Sequence, residues 1–348
     1  MNDFASAYEA VLNRRALSAD EAERAFGALL DGEVGEPVTA AFLIALKMKG
    51  ETGDEIAGCA RAMRRRARAL KLDGEGLLDT CGTGGDNAGT FNISTGAALI
   101  AAAAGVPVAK HGNRAISGKV GGADVLEKMG IRIDCDPPML RNCLRTAGCC
   151  FIFAPAYHPA MAKLAPLRRA LATRTLFNLM GPLANPALPT RQVSGVSEPR
   201  LFDEFTRALA LLGTHHAMVV YGLDGLDEIS ISAETRIAEI RGESINEYTI
   251  APEQFGFERR GRSLLRADDA AHSAKLLRAA LVGDEEGPAK DILALNGGAA
   301  IYVGGKAGSL AEGVARARGI IESETALEVI DEMRRITNAG GGKKSKSK

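Results

Sequence analysis

Net charge is missing from this 348-residue chain: 43 lysines and arginines balance 43 aspartates and glutamates. No global field gathers a polyanion, which disfavours a nucleic-acid binder driven by bulk charge. Tryptophan is absent, and the six cysteines (Cys59, Cys81, Cys135, Cys143, Cys149, Cys150) form no C-x-x-C and have no histidine at metal-finger spacing. They read as reduced, mostly buried small residues. The N-terminus has no cationic stretch followed by an apolar run, so no secretory signal is expected. The longest weakly polar stretch, residues 93–109, is interrupted by Gly105 and Pro107 and is too short to span a bilayer. A cytoplasmic protein without a membrane partner is expected.

What the chain does have is length and glycine. At roughly 150 residues per domain it holds about two domains' worth of sequence. Apolar residues make up 46% and charged residues 25%, as in soluble globular chains. Forty glycines in 348 residues exceed the usual ~7%, and without a repeat they read as loops where backbone approaches something closely.

Residues 1–73 carry helical spacing throughout, with capping boxes at Ser18/Glu21 and Thr52/Glu55, and read as a small all-helical unit of about four helices. Its last helix is expected over 54–71 and carries Arg61, Arg64, Arg65, Arg66 and Arg68, a face that acids elsewhere in the fold are expected to balance. After the boundary near Asp73-Gly74-Glu75-Gly76, short apolar runs alternate with Gly-rich turns and Ala-rich helices, the pattern of a mainly parallel α/β sheet. Strands are expected at 77–81, 106–110, 131–134, 149–153, 192–196 and 217–221, with an added edge or hairpin near 236–241 and 247–250. Helices at 270–283, 286–303 and 308–337 close this α/β unit, residues 74–337, and the basic tail 338–348 is expected to be disordered.

Three segments can carry chemistry. The densest glycine cluster, residues 79–90, lies between a strand and a helix N-terminus, where free N–H groups and the helix dipole favour an anion. It fits neither the dinucleotide fingerprint, having Asn87 at the third glycine position, nor the P-loop pattern, so it reads as either a structural turn or a phosphate cradle. The second cluster, residues 110–124, sets Lys110, His111, Arg114 and Lys119 among glycines beyond the next strand, where open α/β sheets bind ligands. Third, Asp224-Gly225-Leu226-Asp227-Glu228 follows an apolar strand, and the adjacent carboxylates Asp227 and Glu228 suit a hard cation such as Mg²⁺ or form a solvated acidic turn. Arg168 on a helix is either an ion-pair partner or a fork for a carboxylate or phosphate.

In order, Gly82-Thr83-Gly84-Gly85-Asp86, Asn92-Ile93-Ser94-Thr95, Lys110-His111-Gly112-Asn113-Arg114, Ala123-Asp124-Val125-Leu126-Glu127, His158-Pro159-Ala160-Met161, the stretch Arg174 to Pro186 and Asp224 to Glu228 resemble the anthranilate phosphoribosyltransferase family, of the nucleoside phosphorylase-like class, over about residues 5–337. The resemblance implies a homodimer in which a small helical domain, completed by helices from about 165–185, joins a large α/β domain with the active site between them. It implies transfer of the phosphoribosyl group of phosphoribosyl pyrophosphate (PRPP) to the amine of anthranilate, with two Mg²⁺ ions per monomer and no covalent nucleophile. By matching position, PRPP would be held by Gly82, Gly85, Asp86 and Thr90, by Asn92, Ile93, Ser94 and Thr95, by Lys110, His111, Gly112, Asn113, Arg114, Ala115, Ile116, Ser117 and Gly118, and by Gly122. Anthranilate would meet Gly82, Asn113 and Arg168, and the metal would meet Ser94, Asp227 and Glu228. The chain departs from the family's hydroxyl-rich second loop at Ala115, Ile116, Gly118 and Val120, and has Tyr157 where a second histidine is common. A pyrimidine nucleoside phosphorylase of the same fold and a non-catalytic nucleic-acid-binding relative fit the Asp227-Glu228 pair and Asn113 or Arg168 less well.

Overall fold

A computed structural model describes residues 2–115, 120–282 and 286–339. Four helices open the chain: α1 (Asn2–Leu12), α2 (Ala19–Asp31), α3 (Glu36–Lys49) and α4 (Gly53–Arg66). Both expected capping boxes form, at Ser18 with Glu21 and at Thr52 with Glu55. Glu55 goes further than capping: it is buried, accepts from the Leu17 N–H at 3.0 Å and pairs with Lys49 at 2.9 Å, tying α4 to the end of α3 and to the turn before α2. The arginines of α4 meet acids of α2, Arg61 with Asp20, Arg65 with Glu23 and Arg66 with Asp31, while Arg64 donates to the Leu183 carbonyl at 2.7 Å. The basic run is therefore internally balanced.

The second part alternates strand and helix: β1 (Leu78–Asp79), α5 (Ile93–Ala103), β2 (Val108–Gly112), α6 (Gly122–Lys128), α7 (Pro137–Ala147), β3 (Cys149–Phe153), α8 (Ala154–Tyr157), α9 (Pro159–Leu171), α10 (Met180–Leu183), β4 (Arg191–Gly195), α11 (Phe202–Leu211) and β5 (His216–Gly222). A hairpin, β6 (Thr235–Arg241) and β7 (Ser244–Ile250), and four helices, α12 (Ala270–Ala280), α13 (Pro288–Val303), α14 (Leu310–Glu322) and α15 (Thr325–Asn338), complete it. The seven-stranded sheet runs β3-β2-β1-β4-β5-β6-β7, parallel through β5 and antiparallel at β6 and β7. Sequence neighbours therefore diverge from the β1/β4 pair in both directions, which makes that pair the topological switch point where such sheets open a crevice. Alternation divides the core: Met218 and Val220 join the cluster of α5, α13 and α14, while Ala217 and Val219 face the cluster that includes α1–α4, α9, α10 and α11. The apolar core of the helical part thus runs onto one face of the sheet.

Several boundaries differ from expectation, each for a local reason. α4 stops at Arg66 rather than residue 71, because Ala67 turns extended and the Arg68 N–H donates to the Tyr157 carbonyl at 2.8 Å. Residues 131–134 form no strand; the Ile131 N–H closes the end of α6 on Leu126 and the Arg132 N–H donates to Thr337 Oγ1, so the segment is bound to a helix instead of a sheet edge. The expected helix 308–337 is two helices, broken at Glu324, whose φ is 58°. α15 runs through Asn338, which belongs to the helix and not to the tail; residues 340–348 lie outside the described residues.

Not all of the glycine surplus is in loops. On α13 and α14, a Cβ at Gly298 would meet the Val314 backbone at 2.6 Å, and one at Gly313 would overlap the Gly298 carbonyl. These helices therefore touch backbone to backbone, with Gly96 of α5 and Gly297 making similar room for Leu293 and Ile100. A Gly298→Ala substitution overpacks this crossing and should cost about 1–3 kcal/mol, read as a lower denaturation midpoint at unchanged m-value; an unchanged midpoint would show that α14 can move away freely.

Candidate active site

β1 is two residues long because the chain must leave the sheet at once to form the loop 80–92 over the switch point. The Thr83 N–H donates to the Gly195 carbonyl at the end of β4 (2.8 Å), Ser197 Oγ donates to the Gly84 carbonyl (2.9 Å), and the Gly84 N–H donates to Asp227 Oδ2 (2.7 Å). The loop's far end is pinned by the Ala267 N–H on the Gly89 carbonyl, the Phe91 N–H on the Leu265 carbonyl and a bridge between Thr90 and Arg266. Asn92 caps α5, accepting from the Thr95 N–H at 3.1 Å. Ile93 and Thr95 are buried, while Ser94 and Asp86 remain part-exposed.

Lys110, at the centre of β2, is buried and donates to the Thr80 carbonyl (3.1 Å), Thr80 Oγ1 (3.3 Å) and Ser94 Oγ (3.2 Å), which ties β2 to the first loop and to the start of α5. Beneath it Asp79 is fully buried, held by Asn185 Nδ2 (2.9 Å) and the His111 N–H (3.2 Å); burial raises its pKa to about 6 against the pull of Lys110. Asp227 and Glu228 stand on the turn after β5. Burial, then the neighbouring carboxylates Asp86 and Asp227 respectively, push both carboxyls well above their ordinary range, while the Gly84 N–H and Arg174 oppose this at Asp227, and Lys110 at Glu228. The turn is locked from behind by Asn296 of α13, which accepts from the Ile229 N–H and donates to the Ile229 carbonyl, both at 2.9 Å.

This donor set fits a hard divalent cation. Three carboxylates crowd one crevice, at a cost that a cation relieves, and a serine hydroxyl lies beside them. Mg²⁺ is held by one or two carboxylates together with water and substrate phosphates, a set that Asp227, Glu228 and Ser94 can supply in part.

His111 and His158 meet edge to face with ring centroids 5.3 Å apart. His111 Nδ1 lies 2.8 Å from the Gly181 carbonyl, and the Nε2 atoms of both rings are buried without partners. Burial drives the pKa of His111 down to about 3, helped by His158, and that of His158 to about 4, so both rings are neutral at pH 7. His158 precedes α9, and beyond its far end Arg174 reaches the Thr83 carbonyl at 3.3 Å. The helix is anchored to the crevice at both ends, with Arg168 between. Arg168 is partly buried, its pKa lowered by burial, and among the described residues it has no acid or hydrogen-bond partner.

The predicted residues do not all converge. The Arg114 guanidinium turns to Glu127 and Asp124 and lies 5.8 Å from the Phe153 ring centroid. Asn113 Oδ1 accepts from the Arg114 N–H at 2.7 Å, and among the described residues no hydrogen bond joins Asn113 or Gly82 to Arg168. Gly112 makes room for the Phe151 ring, and Gly122 lies beside Thr95 Oγ1. Ala115 N–H donates to Asp124 at 2.9 Å. Ile116, Ser117 and Gly118 lie outside the described residues. Sequence reasoning missed Gly195, Asn185 and Asn296. Asn296 had a readable signal, a lone amide within the apolar run of α13; Gly195 had none, because the residue it accommodates is 32 positions away.

Residues 5–67 match the helical bundle domain, and residues 74–327 the a/b domain, of the glycosyl transferase family. The anthranilate phosphoribosyltransferase of Rubrobacter xylanophilus is 46% identical over 327 residues, 94% of this chain and 95% of the relative. The crystal structure of the anthranilate phosphoribosyltransferase of Thermus thermophilus superposes with a TM-score of 0.90 at 40% identity, covering 95% of this chain and 99% of that one. The Saccharomyces cerevisiae enzyme in complex with PRPP and Mg shares the fold at 24% identity, with a TM-score of 0.87 over 97% and 98% of the two chains.

The histidine pair has a pH signature. With folded-state pKa values depressed below the ordinary 6.5, these groups contribute stability that is full above pH 6.5 and is lost as pH falls through about 4 for His158 and about 3 for His111. Asp79, raised to about 6, acts in the opposite sense, losing its share as pH rises from 3.8. The change in Tm between pH 7 and pH 5 should therefore be less destabilising in His158→Gln than in the wild type, measured by differential scanning calorimetry; parallel pH profiles would show that His158 does not stay neutral.

Proposed function

We infer the chemistry from one premise: the chain belongs to the anthranilate phosphoribosyltransferase family. It is a phosphoribosyltransferase that moves the phosphoribosyl group of PRPP to the amine of anthranilate, releasing pyrophosphate and giving N-(5-phosphoribosyl)anthranilate for tryptophan biosynthesis. The amine is already a nucleophile, and loss of pyrophosphate builds positive charge on the ribose ring. The protein has to orient the two substrates and neutralise the leaving group, for which no covalent nucleophile is needed.

The observation that carries the assignment of roles is the 2.7 Å hydrogen bond from the Gly84 N–H to Asp227, which joins the glycine loop to the acidic turn in one crevice. PRPP is assigned to that crevice, along Gly82, Gly85, Asp86 and Thr90, the capped N-terminus of α5 from Asn92 to Thr95, and Lys110 with the loop that follows it. Mg²⁺, when bound, shields the charge of the pyrophosphate; Ser94, Asp227 and Glu228 would hold it, two ions per monomer in this reading, and the Mg in the yeast complex supports that use. Anthranilate is assigned to the side lined by Asn113, Gly82 and α9. There an unpaired, partly buried Arg168 matches a carboxylate with its planar fork. The same reading takes the enzyme as a cytoplasmic homodimer. It divides each chain into a helical domain of residues 1–73 completed by 165–185 and an α/β domain from residue 74, in keeping with the apolar cluster that α1–α4, α9 and α10 share. No described helix is long and apolar enough to cross a membrane.

Mixing the protein with anthranilate, PRPP and Mg²⁺ should extinguish anthranilate fluorescence in a Mg²⁺-dependent way. Asp227→Asn with Glu228→Gln should abolish most of this turnover, and Arg168→Lys should raise the KM for anthranilate about tenfold or more while leaving that for PRPP nearly unchanged. Full turnover in the acid variant would remove the metal assignment; an unchanged anthranilate KM in Arg168→Lys would remove the carboxylate assignment.

A further inference from the structure

Arg174 lies in the stretch that follows α9, and none of the roles above uses it. Its guanidinium leans on the backbone of Gly85, so closely that a Cβ there would overlap Nη1. The bareness of Gly85, read from sequence as room for a phosphate, is occupied by a cation. That cation is poorly satisfied by protein. Nη2 donates to the Thr83 carbonyl at a long 3.3 Å. Nε is 3.2 Å from Glu198 Oε1, yet it is buried without a hydrogen bond. Nη1 has no protein acceptor among the described residues. The side chain is 26% exposed, so a ligand can reach it.

A structural strut would be expected to hold the loop, but the loop is held without it. Thr83 and Gly84 are fixed by Gly195, Ser197 and Asp227 through bonds of 2.8, 2.9 and 2.7 Å. A planar five-donor group with spare N–H groups, set over a glycine loop and beside the carboxylates assigned to the metal, matches phosphate oxygens in the way that arginine forks do.

We propose that Arg174 is a direct ligand of the pyrophosphate group of PRPP, held ready by Glu198 and exchanging that weak ion pair for phosphate oxygens when substrate enters. The inference rests on the reading of the crevice as the PRPP site. Glu198, which also pairs with Arg200 at 3.0 Å, is then a competitor for the guanidinium and not part of the binding set.

Calorimetric titration of PRPP and of inorganic pyrophosphate, each with Mg²⁺, tests this on wild type, Arg174→Ala, Arg174→Lys and Glu198→Gln. Losing a charge-assisted pair should weaken both ligands about 10- to 100-fold in Arg174→Ala, with partial rescue in Arg174→Lys. The KM for anthranilate and Tm should stay near wild type. Glu198→Gln, which frees the guanidinium, should bind pyrophosphate at least as tightly as wild type. Weakening in Glu198→Gln that parallels Arg174→Ala would make the pair a strut and overturn the proposal, as would wild-type affinity in a folded Arg174→Ala. If Arg174→Ala does not fold, the Lys and Gln variants still decide, through the same opposition of effects. A wild type that binds neither ligand would overturn the reading of the crevice itself, and this proposal with it.

Discussion

The turn after β5 reaches across the end of β4 to lay Asp227 against backbone, and the rest of the site depends on how close that approach is. A Cβ at Gly195 would overlap the Asp227 carbonyl, and one at Gly82 would stand 3.0 Å from its carboxylate oxygen. Two bare backbone positions on neighbouring strand ends therefore let an acidic turn enter the switch-point crevice. The Gly84 N–H then takes the carboxylate, which shapes the glycine loop. Without this approach the Gly84 N–H would lack its acceptor, and the carboxylates would stand further from the crevice.

Crowding acids in a half-buried crevice is costly, and the fold offsets the cost in layers. Lys110 is placed between Asp79 and the carboxylates above it, with its three donors engaged by Thr80 and Ser94. Asn185 and Asn296, both buried, satisfy Asp79 and the backbone beside Glu228. What remains uncompensated is excess negative charge where a divalent cation and a polyphosphate would bind together. The complementary surplus lies on α9 and just beyond it, where among the described residues Arg168 has no partner and Arg174 has a poor one. Residues that a merely stable protein would pair well or replace are left poorly satisfied beside the crevice proposed for the ligand.

Much of this was legible in the sequence. The capping boxes, the parallel run of strands with an antiparallel edge, the reduced cysteines and the three chemical segments all rest on local patterns, which sequence displays directly. The misses are non-local. Ile131 and Ile133 have strand character, but the Ile131 and Arg132 N–H groups find helix partners; Glu324 breaks a helix with no glycine or proline to announce it. Gly195 and Asn296 matter only for what folding brings beside them. That acids balance the arginine run of α4 was expected; that they come from α2 depends on helix register in three dimensions.

The close approach at β4 is tested most directly by adding one methyl group where it has no room. Gly195→Ala should keep the wild-type far-ultraviolet circular dichroism, since the helices are untouched, but should displace Asp227 and lower the affinity for PRPP with Mg²⁺ by an order of magnitude or more, measured by titration calorimetry. A folded Gly195→Ala that binds PRPP with wild-type affinity would contradict the account, because the carboxylate would then reach the crevice without the bare backbone beneath it.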